Sequence, residues 1–149
     1  MKLHISDRLP PLKPSSLPAP GRRAAERPET GARGEAIAVA HLVAAGYRVV
    51  ARNWTVRDGE IDVIARAPEG DRLVFVEVRT RWRGAPVAPE TTVTRPKQRR
   101  VERLARIFLA RNAQRYAGMM ATFDVIGVWL PDEEVTHVPC AFEGDVGLR

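Results

Sequence analysis

Gly59-Glu60-Ile61-Asp62-Val63-Ile64, a polar break, and then Leu73-Val74-Phe75-Val76-Glu77-Val78-Arg79 form the stretch whose reading decides the fold. Both runs are β-rich, and both carry acids inside apolar sequence. Alternate residues of a strand share a face. Glu60, Asp62 and Ile64 therefore fall on one face of the first strand, with Ile61 and Val63 on the other. In the second, Leu73, Phe75, Glu77 and Arg79 share a face opposite Val74, Val76 and Val78. Ala67 to Asp71 contains Pro68 and Gly70, which suits a hairpin connection. Antiparallel pairing then brings Asp62 near Glu77. Two neighbouring carboxylates repel unless a cation lies between them, and isolated carboxylates are costly to bury. Hard oxygen donors favour magnesium or manganese over zinc. The competing reading is a sheet edge whose acids face water.

Working outward, Ala32 to Ala45 reads as a helix ended by Gly46. Glu35, Val39 and Leu42 fall on one stripe of it, so Glu35 is the polar end of an apolar face. A glutamate in a first helical turn is also favoured by the helix dipole without any ligand.

The order is helix with Glu35, strand, strand with Asp62, strand with Glu77 and Arg79, helix, strand. On these residues the chain resembles the YraN-like proteins, a family placed in the restriction-endonuclease-like, or PD-(D/E)xK, nuclease superfamily. The matching pieces are Gly34-Glu35, Ala44-Ala45-Gly46-Tyr47, Arg52-Asn53, Gly59-Glu60-Ile61-Asp62 and Phe75-Val76-Glu77-Val78-Arg79-x-Arg81. Val93-Thr94-Arg95-x-Lys97-Gln98 and Phe123-Asp124-Val125 follow, so the resemblance covers roughly residues 31 to 143. It implies phosphodiester hydrolysis, with Asp62 and Glu77 holding Mg2+ or Mn2+, Glu35 joining the site, and Arg79 in the place of the motif lysine. A metal ion there would lower the pKa of water and neutralise phosphate charge. Arginine cannot act as a general base, but it binds phosphate oxygens bidentately. Asp124 is read as structural first and as a site-edge acid second.

Composition sets the outer bounds. The 149 residues suffice for one domain with a real core, and 44% are hydrophobic, which is ordinary for a globular protein. The single cysteine, Cys140, excludes an internal disulfide. His4, His41 and His137 are scattered without ligand spacing, and His41 reads as a surface or boundary residue. No run has the length of a membrane span and no secretory core follows the first basic residues, which predicts a cytoplasmic protein.

The formal net charge is +6. Residues 1–30 carry six basic and three acidic side chains with six prolines, and are read as a disordered basic extension to a domain at 31–149. Arg95 to Arg115 holds eight basic residues against Glu102 alone. Val101, Leu104, Ala105 and Phe108 form the apolar stripe of a helix, with Arg99, Arg103 and Arg106 opposite. That helix is either a solvated amphipathic face or a phosphate-facing surface. Arg81, Arg95, Lys97, Arg99 and Arg103 are the candidate nucleic-acid contacts, and the resemblance places a recurrent lysine at Lys97. Trp82, between Arg81 and Arg83, is the one tryptophan that reads as base-stacking, while Trp129 reads as packing. The long Arg81–Pro96 connection is placed to cover the site.

The expected architecture is α/β, a restriction-endonuclease-like mixed sheet of about five strands flanked by helices. The strands are Tyr47–Trp54, Glu60–Ala65, Leu73–Thr80, Thr122–Trp129 and Glu134–Val138. A helix at Lys97–Asn112 crosses from the third strand to the fourth and makes them parallel, and Cys140–Arg149 is a tail with Phe142 docked. The expected function is a metal-dependent nuclease on DNA, favoured over RNA and including branched or damaged forms, with no membrane partner. The alternative is a nucleic-acid-binding accessory protein with little or no catalysis.

Overall fold

Alternating apolar sequence before the basic helix folds as an antiparallel meander. Its strands are β1 (Arg48–Val56), β2 (Gly59–Arg66) and β3 (Arg72–Trp82). β4 (Met120–Leu130) runs parallel to β3, and β5 (Glu134–Phe142) antiparallel to β4, giving a mixed sheet ordered β1-β2-β3-β4-β5. Helix α1 (Arg22–Ala44) precedes the sheet and α2 (Arg95–Arg111) crosses from β3 to β4. The structure, a computed structural model, describes residues 22–144. The mixed α/β sheet flanked by two helices is the architecture expected from sequence.

The helices bury opposite faces of the sheet. Ala38 and Leu42 of α1 pack with Val63, Val74, Val76, Ile126 and Val128. Val101, Leu104, Ala105, Phe108 and Leu109 of α2 pack with Ile61, Ile64, Phe75 and Phe123 on the other side. Each buried Val, Leu, Ile or Phe among them contributes about 1.5–3 kcal/mol, so both helices are fixed by their apolar stripes. The α2 stripe is the one read from sequence, and Arg99, Arg103 and Arg106 lie exposed on its outer side.

The helix ends follow from local chemistry. Gly46 has φ +88°, its N–H donates to the Val43 carbonyl and the Tyr47 N–H donates to the Leu42 carbonyl. That Schellman pattern satisfies two terminal carbonyls and needs a residue tolerant of the left-handed region. Thr94 caps α2, its side chain accepting from the Lys97 backbone N–H, with a proline in the first turn.

Several boundaries differ from expectation. α1 begins at Arg22, so part of the stretch read as an extension is helical, while residues 1–21 lie outside the described residues. β5 runs through Phe142, so Cys140 to Phe142 is strand and not tail, with Phe142 stacked on Phe123 at 5.0 Å between ring centroids. The last residues, 145–149, are also outside the described part.

Gly34 sets how closely α1 approaches β3. A Cβ there would stand 1.8 Å from Thr80 Oγ1 and 2.9 Å from Thr80 Cβ. Gly34→Ala is expected to destabilise the domain by about 1–3 kcal/mol, the usual cost of overpacking. Thr80→Gly in the same chain should recover part of the loss, as measured by urea denaturation.

Candidate functional site

The two central strands part company at Asp62. Ile61 packs in the α2-side cluster, whereas Val63 packs in the α1-side cluster. Two residues expected on one face therefore lie on opposite faces, which corrects the strict alternation read from sequence. The cause is local. The β2–β3 pairing ends at Val63↔Val76, and the β1–β2 register passes from Arg52↔Val63 to Trp54↔Ile61, with Asn53 between them at φ +48°. Asparagine tolerates that left-handed conformation better than most residues. Asp62 fills the fork, and its Oδ2 accepts the Val78 backbone N–H at 2.8 Å. A side chain thus replaces the ladder bond that the diverging strand leaves unmade.

Three carboxylates converge there. Ligand oxygens of Glu35, Glu60 and Asp62 all lie within 4.8 Å of one another. Glu35 arrives from α1, three residues before the buried Ala38, and hydrogen-bonds with the Asn53 side chain. Glu60 Oε2 accepts from Thr55 Oγ1 at 3.1 Å. Burial raises the Asp62 pKa well above the usual aspartate range, and Glu77 and Glu35 push it the same way, against the Val78 N–H and Lys97. Burial likewise raises Glu35, with Glu60 and Glu77 adding to it, against Asn53 and Arg52.

Glu77 enters from β3, nearly fully buried at 4% exposure. Its Oε1 accepts from Lys97 Nζ at 2.8 Å, with Arg79 Nη1 3.8 Å away. Lys97, read from sequence as a phosphate contact, is therefore ion-paired inside the acidic site. Arg79 also turns outward, its Nε–H donating to Thr92 Oγ1 at 2.8 Å. Thr92 Oγ1 in turn donates to the Pro89 carbonyl at 2.7 Å. The connection read as a cover is thus tied to the site, with its short 3-10 turn (Pro89–Thr91) resting on β4, where a Cβ on Gly127 would meet Glu90 Oε2 at 2.6 Å.

The structure brings Glu35, Asp62, Glu77, Arg79 and Lys97 to one neighbourhood. Arg95, Arg99 and Arg103 lie exposed along α2, outside it. Arg81 donates from Nη1 to the Thr80 carbonyl at 2.8 Å. Trp82 is 49% exposed, with its Nε1–H donating to Thr30 Oγ1 at 3.4 Å. Glu60 and Asn53 were missing from the sequence-derived site. Glu60 had a signal, since it shares strand parity with Asp62.

Asp124 belongs elsewhere and is structural. It is fully buried, with Oδ2 2.7 Å from His137 Nε2 and Oδ1 accepting the Cys140 backbone N–H at 3.0 Å. His137 Nδ1 lies 3.2 Å from His41 Nε2, so two histidines scattered in sequence join α1 to β5.

The raised acids predict a pH effect on stability. The folded chain holds protons on Asp62 and Glu35 more tightly than the unfolded chain, so stability falls as pH rises from the ordinary carboxylate range through the raised values. Asp62→Asn keeps an acceptor for Val78 and removes the charge. Its metal-free Tm is expected to exceed wild type by about 2–4 °C at pH 7.5, roughly 1 kcal/mol for a domain of this size, and to converge with it near pH 4. Thermal melts across that range check both.

The donor set fits a hard divalent cation, since three carboxylates from two elements, α1 and β2, converge on a partly buried point whose charges are otherwise mutually repulsive. Residues 34–128, which hold every member of the acidic site, match the model of the family described as "Uncharacterised protein family UPF0102". A "UPF0102 protein" of Pelobacter propionicus is 41% identical over 133 residues, covering 87% of this chain and 90% of its own. One of Geobacter metallireducens is 40% identical over 115 residues, with 76% and 91% covered. One of Mycobacterium sp. strain KMS is 44% identical over 115 residues, with 75% and 84% covered. A family model spanning most of the chain and relatives matched along nearly their whole length lead to one conclusion: the protein belongs to the UPF0102, or YraN-like, family.

Proposed function

We propose that this protein is a metal-dependent nuclease that hydrolyses phosphodiester bonds in DNA. The observation carrying this reading is the convergence of Glu35, Glu60 and Asp62 at the strand fork, with Glu77 and Lys97 beside them. Asp62 and Glu77, joined by Glu35 and Glu60, would hold Mg2+ or Mn2+. When bound, such an ion supplies a water of lowered pKa and neutralises charge on the phosphate. The chain's own groups do the rest. The Val78 N–H fixes Asp62 in its rotamer. Asn53 and Thr55 hold Glu35 and Glu60 in place. Lys97 and Arg79 bring positive charge to an acid-lined pocket that would otherwise repel a phosphate.

The metal part of the reading is tested by thermal stability with and without cation. A ligand at a hundred times its Kd stabilises the folded state by about 2.7 kcal/mol. Mg2+ or Mn2+ should therefore raise the Tm of wild type and leave Asp62→Asn unmoved. Equal shifts in both would remove Asp62 from the site.

The exposed arginines of α2 supply the polyanion-binding surface of this reading. Neutralising Arg95, Arg99 and Arg103 together is expected to lower DNA affinity and reduce the slope of log K against log salt by about three units, one per lost phosphate contact. Fluorescence anisotropy at several salt concentrations measures it, and an unchanged slope would assign α2 to ordinary surface.

One observation favours a second reading. Glu77 already has a cation partner in Lys97, and Arg79 is tied to Thr92. A site so neutralised also suits an accessory protein that binds nucleic acid without cutting it. Among the described residues no helix is long and apolar enough to cross a membrane.

A further inference from the structure

Two basic side chains approach Glu77, and they are held differently. Arg79 Nη1 stands 3.8 Å from Oε1 while its Nε–H is committed to Thr92. Lys97 Nζ makes the close contact, 2.8 Å to the same oxygen. Arg79 is thus anchored to the covering segment, whereas the polar contact shown for the Lys97 ammonium is to Glu77. The Lys97 side chain is 35% exposed, so it reaches a buried carboxylate while still in contact with solvent. A compact ammonium on a flexible stem can leave one anion for another, which a guanidinium pinned at a second point does less readily.

We propose that Lys97 is a resident counter-ion of the acidic site: it occupies, on Glu77, the place a divalent cation takes, and is released toward a nucleic-acid phosphate when the cation binds. This inference rests on the metal-site reading above. The Lys97 ammonium and a divalent cation on the same Glu77 carboxylate repel each other, so each weakens the other's hold on it. Lys97 also lowers the cost of Asp62's charge, so one side chain offsets the excess of acid on both sides of the fork. Cation binding without nucleic acid therefore works against an ion pair to a nearly buried carboxylate. A phosphate that accepts the freed ammonium removes that penalty. Cation and nucleic acid should then strengthen each other's binding by the same factor. Arg79 takes the other role, that of a positioning residue that ties Thr92 and the Pro89–Thr91 turn to β3.

Mn2+ alone is the probe, titrated calorimetrically at pH 7.5 into the full chain without nucleic acid. Lys97→Met and Lys97→Gln both remove the competing charge, and Gln can still hydrogen-bond Glu77 should Met fail to fold. Arg103→Met, on the exposed side of the same helix, controls for the change in net charge. The expected result is Mn2+ binding at least fivefold tighter in the Lys97 variants than in Arg103→Met. That gain should vanish when Glu77→Gln is added. Equal or weaker binding in both Lys97 variants, with wild type still binding Mn2+, would overturn the counter-ion role and leave the metal site standing. No Mn2+ binding in any variant would overturn both.

Discussion

Asp62→Asn and Glu77→Gln are each expected to abolish divalent-cation-dependent DNA cleavage, by a thousandfold or more, while DNA binding persists or tightens. The amides keep side-chain shape, and at Asp62 they keep an acceptor for the Val78 N–H. What they remove is the charge that holds a cation. Electrostatic stabilisation at a reacting centre is commonly worth about 10²–10³ per group, and loss of the ion itself removes more. Binding should survive because the exposed arginines of α2 lie outside the acidic site. Fewer negative charges near the phosphate also reduce repulsion. A quenched-fluorophore cleavage assay beside an anisotropy titration separates the two effects. Parallel loss of cleavage and binding would mean that the acids shape the surface instead of holding a metal.

The largest expected effect on stability lies away from that site. Asp124→Ala should destabilise the domain by about 2–4 kcal/mol, measured by urea denaturation. The residue is fully buried, and removing it leaves both the Cys140 N–H and the His137 ring nitrogen without their acceptor. A donor left without its acceptor beside a buried site costs about 1–3 kcal/mol, and losing the buried carboxyl also leaves a cavity. The β4–β5 register shifts between Phe123 and Val125, so no ladder bond takes over for the carboxylate. Cation-dependent activity in whatever fraction remains folded should be unchanged. A loss under 1 kcal/mol would show that the bulged strand finds other partners.

Strand parity made much of the fold legible. Leu73, Phe75, Glu77 and Arg79 do share a face, and the apolar stripe of α2 was visible in its spacing. Gly46 marked the end of α1 because only a left-handed residue closes that helix with a Schellman pattern. Parity failed where the backbone stopped being regular. Ile61 and Val63 lie on opposite faces because the backbone departs from regular strand geometry at Asp62, opposite a left-handed Asn53, and no periodic pattern encodes such a local irregularity. Glu60 was readable in principle from its place beside Asp62. The Lys97–Glu77 pair was not, since it depends on how α2 docks. The same holds for His41, His137 and Asp124, which lie on three separate elements and meet only after α1 packs onto the sheet. Long-range polar contacts of this kind leave no mark on local sequence.

The most direct measurement is cleavage by the wild-type protein itself. Purified protein is incubated with single-stranded, duplex, flapped and four-way DNA, each with Mg2+, with Mn2+ and with chelator. Arg79→Lys is run alongside because it restores the usual motif residue at unchanged net charge. Cleavage of at least one substrate that requires the cation and disappears with chelator or in Asp62→Asn is the predicted result. Intact DNA in every lane, from both wild type and Arg79→Lys, would contradict the nuclease account and leave nucleic-acid binding as the function of this surface.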